Sequence, residues 1–233
     1  MRQPINLNER VNNKTLDEGF DEFILYCKSR NLRPATIKHY NNAMLVIYKA
    51  IPPKTKIKDI TNETVENFKI FMQRNTNEND VTMNTNLRSL RAILYYFMKL
   101  EYMDKFHIPE MKVDKKIIET YTDAELKLLL KKPDLKKCSF IDYREFVIVN
   151  FLLGTGCRLG TLINIKIKDL DFDNDLITYT HTKNRRPQLV PISFSLKKVL
   201  IEYLQYRKGN ADDYLFCNAY GEKINGDTLK HNI

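Results

Sequence analysis

Residues 151–172 read FLLGTGCRLGTLINIKIKDLDF. The apolar Phe151-Leu-Leu153 closes a helical run that begins at Asp142, and Gly154 with Gly156 ends it. Leu159, Leu162 and Ile165 then recur on one face, which predicts a short second helix over 159–165. Arg158 stands at the turn between the two. An arginine on a short glycine turn between packed helices is fixed in place, and its five donors suit a phosphate. Two plainer roles compete with that one: capping the helix before it, or pairing with Asp169.

Working outward, Leu176-Ile-Thr-Tyr-Thr-His-Thr182 is rich in β-formers, Lys183–Arg186 is a polar break, and Gln188-Leu-Val-Pro-Ile192 is β-forming again. That pattern is a hairpin. Ser193 or Ser195 starts a helix reaching about Arg207. Tyr214-Leu-Phe216, a turn at Gly221 and a last helix from near Gly226 follow. On the other side, Thr122-Asp-Ala-Glu125 is a capping box ahead of Leu126–Leu130, so a domain begins at about 121 and extends to 233.

The front of the chain carries helical periodicity alone. Thr15 caps a helix with Leu16, Phe20, Phe23, Ile24 and Cys27 on one face, and Pro34 opens a second over 34–50. A third spans 61–74 through Val65, Phe68, Phe71 and Met72; a fourth spans 83–101 through Leu87, Leu90, Ile93, Leu94 and Phe97. Four such helices with short loops predict a bundle over 1–101. Residues 102–120 are charged and lack periodicity, which predicts a linker. The fold class is therefore mainly α, with a small β-hairpin or sheet in the second domain.

Composition narrows the function classes. The 233 residues are 43% hydrophobic and carry 38 Lys+Arg against 29 Asp+Glu, a formal net charge of +9. The excess is shared by the two halves, which suits a protein that grips a polyanion with both. Disorder and fibrous repeats are excluded, and no apolar stretch approaches a membrane span. Residues 1–14 have no apolar secretion core, so a cytoplasmic setting is expected. Cys27, Cys138, Cys157 and Cys217 are scattered without metal-ligand spacing, so reduced thiols and no metal site are expected.

Order and spacing together carry a resemblance. T-G-x-R at 155–158, then Leu162, Ile165 and Asp169 before a hairpin, resembles the first signature box of the tyrosine recombinases, the phage-integrase family. Thr182-Lys183 with Val190-Pro191-Ile192 on the return strand resembles the segment bearing that family's hairpin lysine. Phe216, Gly221 and a helix from 225–227 resemble the approach to its His-x-x-Arg box. The front half, with Thr36–Tyr40 on the second helix and Asn86-Leu-Arg88-x-x-Arg91 on the fourth, resembles its SAM-like core-binding domain. The resemblance runs from about residue 15 onward.

It implies cleavage of one DNA strand by a tyrosine, storage of the bond as a 3′-phosphotyrosine, and rejoining, with no metal or nucleotide cofactor. Arg158 would be one of the clamps on the phosphorane, and Lys183 would protonate the leaving 5′-oxygen. Lys38, Lys49, Arg88 and Arg91 fall on the helices that the family lays against double-stranded DNA. Arg185 and Arg186 at the hairpin tip, and Lys54, Lys56 and Lys58 in a loop, are further phosphate candidates. Any one of these is an ordinary surface residue; as a set they predict a basic concave surface between the domains.

Two departures stand out. Thr161 occupies the place of the family's usual acidic residue three positions after the first arginine. No His-x-x-Arg occurs among the 233 residues: His39, His107, His181 and His231 all lack an arginine at the required offset. Tyr203, Tyr206, Tyr214 and Tyr220 lie before the place of the second box and read as core or surface aromatics. The expectation is the DNA-binding portion of a recombinase truncated before the second box and the nucleophile. It would be encoded by a bacterium or phage, associated with the nucleoid and monomeric in solution, whereas the complete family assembles as tetramers on DNA. The alternative is a non-catalytic protein that occupies recombination sites and competes with a full-length integrase.

Overall fold

Thr15 opens the first helix with a reciprocal cap: its backbone N–H donates to the Glu18 carboxylate (2.8 Å), and its hydroxyl accepts from the Glu18 N–H (3.4 Å). Helix α1 (Leu16–Ser29) is followed by α2 (Pro34–Ala50), with proline in its first turn, and α3 (Asn62–Asn75), capped by Thr61. Helix α4 (Asp80–Lys99) starts one turn before the expected Met83, because the Asn79 side chain accepts from the Thr82 N–H at 2.9 Å. The computed structural model describes residues 13–114, 117 and 119–232, of which 230–232 by backbone alone. The leaderless reading of the N-terminus and the His231 side chain lie outside the described residues.

The chain divides into two units, 1–117 and 118–233. The core of the first is built from all four helices: Leu16 and Phe23 of α1, Met44 and Ile47 of α2, Val65 and Phe68 of α3, and Leu90 and Phe97 of α4. No strand forms among its described residues beyond a single bridge between Thr15 and Lys56. Packing is close enough that a β-carbon on Gly19 would stand 2.5 Å from Ile57 and 2.8 Å from Phe97. Residues 102–111, expected as the start of a linker, belong to this unit: Met103 and Ile108 are buried in the core, with Tyr102, Phe106 and Met111 packed against it. An extended segment leaves no helical period, which is why the sequence pattern is silent there.

The second unit opens with α5 (Asp123–Leu129), capped by Thr122 as its capping box predicts. Helix α6 (Phe140–Thr155) begins earlier than Asp142, because Ser139 caps it and Asp142 reaches back to the Ser139 N–H at 2.9 Å. A single turn, α7 (Leu159–Leu162), replaces the longer helix expected to 165. The sheet is antiparallel in the order β1 (Leu170–Asp171), β2 (Leu176–Tyr179), β3 (Gln188–Pro191). Leu176 pairs with Pro191 and Tyr179 with Gln188. The predicted hairpin is present, but β2 ends at Tyr179 rather than Thr182, and β3 one residue before Ile192. The two-residue strand β1 was not expected. Helix α8 (Phe194–Arg207) is capped by Ser193 and packs on α6, and α9 (Gly226–Asn232) is the last element. Phe151, Leu162, Ile177, Leu200, Tyr203 and Phe216 meet in the core.

Candidate functional site

The turn that carries Arg158 is fixed from both ends. Gly156 takes the left-handed conformation (φ 60°, ψ 21°) and its N–H bonds to the Leu152 carbonyl at 2.8 Å, ending α6. The Thr155 hydroxyl donates to the Phe151 carbonyl (2.7 Å) and accepts from the Cys157 N–H (3.3 Å). Beyond the turn, the Arg158 carbonyl accepts from the Thr161 and Leu162 N–H groups at 2.8 and 2.9 Å, and Leu162 is fully buried. The Arg158 backbone is thus pinned at the start of α7.

Its side chain is exposed and has no hydrogen-bond or ion-pair partner among the described residues. Both plainer roles are therefore unfilled. Asp169 is itself buried, and its carboxylate accepts from the Lys166 N–H at 2.8 Å. Thr161, in the place of the acidic residue, is buried within α7. An unpaired guanidinium on a fixed backbone suits an external anion.

The end of β2 comes to the same turn. The Tyr179 hydroxyl is buried beside Thr155 and Cys157 without a well-formed hydrogen bond, and burial pushes its pKa up to about 12. The Cys157 thiol is likewise raised, first by burial, with Thr155 and Tyr179 opposing. The loop that leaves β2 from this point carries Lys183, Arg185 and Arg186, all exposed. Cys157 and Tyr179 do not stand out in the sequence as site residues, since their meeting with Thr155 of the T-G-x-R motif depends on how the hairpin returns to α6.

Among the four tyrosines, Tyr203 is fully buried and donates to the Leu215 carbonyl at 3.2 Å. Tyr206 stands edge-on to Tyr143 (5.5 Å), and Lys223 lies over the Tyr214 ring (5.0 Å). Tyr220 is 89% exposed.

In the first unit, Lys38 and Lys49 are exposed on α2, eleven residues apart and so on one side of the helix. Lys54, Lys56 and Lys58 are exposed around the turn before α3. Arg88 and Arg91 of α4 are brought together by Glu110, whose two carboxylate oxygens meet their guanidinium groups at 2.6 and 2.9 Å. Those hydrogen bonds pull the Glu110 carboxyl down to about 2. Glu110 carries no local sequence signal, lying 19 and 22 residues from its partners.

Comparison with known proteins gives these observations a frame. Residues 15–117 match the phage integrase SAM-like domain, and residues 119–233 match the phage integrase family. A probable integrase/recombinase of Acholeplasma phage L2 is 32% identical over 155 residues, 64% of this chain and 50% of that protein. One from Methanocaldococcus jannaschii is 32% identical over 103 residues, 44% of this chain and 31% of that protein. The tyrosine recombinase XerD of Chlamydia muridarum is 24% identical over 217 residues, 88% of this chain and 69% of that one. The chain thus spans half or less of the length of the first two relatives.

The fold recurs in the Tn1549 transposon integrase solved with a circular intermediate DNA (TM-score 0.74, 18% identity, 90% of this chain and 73% of that one). It recurs also in a lambda integrase tetramer bound to a Holliday junction (TM-score 0.74, 14% identity, 99% and 68%). The architecture is a SAM-like helical domain followed by an integrase-type catalytic fold.

Proposed function

The chain belongs to the phage integrase family of tyrosine recombinases, and on that premise we propose that it binds double-stranded DNA with both units and supplies part of a strand-exchange site. The observation that carries this reading is Arg158: pinned in backbone, exposed in side chain, and without a partner among the described residues. In a site that also holds a second arginine, a histidine and a tyrosine, Arg158 would grip a non-bridging oxygen of the scissile phosphate. As the tyrosine oxygen bonds to phosphorus and the bond to the 5′-oxygen breaks, Lys183 would give the leaving oxygen its proton.

Within these 233 residues there is no His-x-x-Arg; on α8, Tyr203 is buried in the core, whereas Tyr206 is half exposed with its ring edge-on to Tyr143. We infer that these residues supply the DNA-binding part of the reaction, and that cutting needs the second arginine, histidine and tyrosine named above. Equilibrium binding to duplex DNA across about 50–200 mM salt tests the first half, with log K expected to fall linearly against log salt. A nicked suicide substrate, which traps covalent protein–DNA adducts on a denaturing gel, tests the second. No adduct is expected; one that vanishes with Tyr206→Phe or Tyr220→Phe would assign the nucleophile to that exposed tyrosine and overturn this reading.

The same exposed basic residues also suit a protein that occupies recombination sites without cutting them, since phosphate contacts from both units serve either role. Strand transfer by a full-length integrase, measured with and without this chain on the same site, separates the two roles. Inhibition without any effect on product identity supports occupancy.

A further inference from the structure

Residues 108–111 run along one stripe of α4, antiparallel to it, and each contact is specific. The Ile108 N–H donates to the Tyr95 hydroxyl at 3.3 Å while its side chain is fully buried. Three residues on, the backbone of Met111 is gripped twice by Asn84: the amide nitrogen donates to the Met111 carbonyl (2.8 Å), and the Met111 N–H donates to the amide oxygen (2.9 Å). Asn84 is itself buried. Glu110 lies between these two anchors, with Arg88 and Arg91 beneath it. Its position is set by a backbone tied down on both sides, so this is no chance meeting of long surface side chains.

We propose that Glu110 is a built-in stand-in for a DNA backbone phosphate. It holds Arg88 and Arg91 in the unbound protein and gives way to phosphate oxygens when duplex DNA arrives. The inference rests on the reading that this face of α4 meets DNA. A carboxylate and a phosphodiester offer a guanidinium the same pair of anionic oxygens, and the arginine fork suits both. Arg88 is 55% exposed and Arg91 28%, so the ion pairs sit in water, where such pairs contribute little and are readily exchanged. A phosphate that replaces Glu110 also releases condensed counterions from DNA, which the carboxylate cannot match. Until then the cluster presents two positive charges offset by one negative, which lowers its pull on distant polyanions.

The test measures duplex affinity and its salt slope for the parent chain, Glu110→Gln, Glu110→Asp, Arg88→Ala/Arg91→Ala and the triple variant. Glu110→Gln keeps shape and removes charge. It should bind roughly three- to tenfold tighter, the scale of releasing two exposed ion pairs, with the gain greatest at low salt, where the ion pairs that the parent must break are strongest. Glu110→Asp, which keeps the charge, should stay close to the parent, and the triple variant should lose the gain. If Glu110→Gln binds no tighter while Arg88→Ala/Arg91→Ala binds more weakly than the parent, the stand-in role is overturned and the α4 interface stands. If the double arginine variant binds like the parent, the α4 interface itself fails, and the proposal with it.

Discussion

The Thr182 hydroxyl donates to the carbonyl oxygen of Arg186 at 2.7 Å, closing from within the loop that carries Lys183. Thr182 is buried, whereas residues 183–187 are all exposed, and the Arg185 N–H returns to the Thr182 carbonyl at 3.2 Å. Lys183 therefore rides on a closed ring rather than on a loose tip. Thr182→Val removes the donor, keeps the volume and leaves the Arg186 carbonyl without this partner. It should cost about 1 kcal/mol in urea unfolding and raise amide exchange across 183–187.

Gly156→Ala should also cost about 1 kcal/mol, all of it backbone conformation. An added β-carbon at Gly156 would meet nothing within 4 Å, yet its φ of 60° is one that alanine resists. Gly156→Asn, which tolerates that conformation, should recover most of the loss. Chemical denaturation of the three proteins checks the order Gly, Asn, Ala. An alanine variant as stable as the parent would mean that the turn before Arg158 relaxes freely.

Tyr179→Phe should leave stability unchanged within about 0.5 kcal/mol, or raise it. Its hydroxyl is buried without a well-formed bond, so its removal forfeits no pairing. A large loss in thermal unfolding would reveal that Thr155 and Cys157 hold the hydroxyl after all.

Acid should weaken the first unit through Glu110. Because its carboxyl is depressed from the ordinary 4.5 to about 2, the Arg88 and Arg91 pairs contribute fully above about pH 4.5 and are lost progressively as the pH falls toward 2. Urea midpoints measured down that range should fall for the parent and less steeply for Glu110→Gln. Parallel curves would show that the pairs contribute nothing in solution.

Local signals carried most of the fold. Capping patterns at Thr15 and Thr122, Pro34 at a helix start and β-formers on both sides of Lys183 each name their element within a few residues of sequence. What escaped depends on partners far along the chain. Strand β1 is two residues long and exists only because it pairs with β2. The segment 102–111 shows no period because its partners lie on α4, as Asn84 does for Met111, 27 positions away. At the candidate site, Arg158 and Lys183 stand out because turn chemistry and motif order are local. Glu110 does not, since a lone acidic residue in a charged stretch looks like any other until the arginines beneath it are seen.

The double grip of Asn84 on Met111 also bears on how such a gene can be cut and shuffled. Were a splice to fall just after α4, the helical bundle would lose Met103 and Ile108 from its interior and bare an apolar groove along its last helix. A join made after Met111 would move the bundle with its own closing strap. The seam at which this domain can change hands between genes therefore lies some ten residues past its last helix, and exchanges made at the helix end would be selected away as misfolded products.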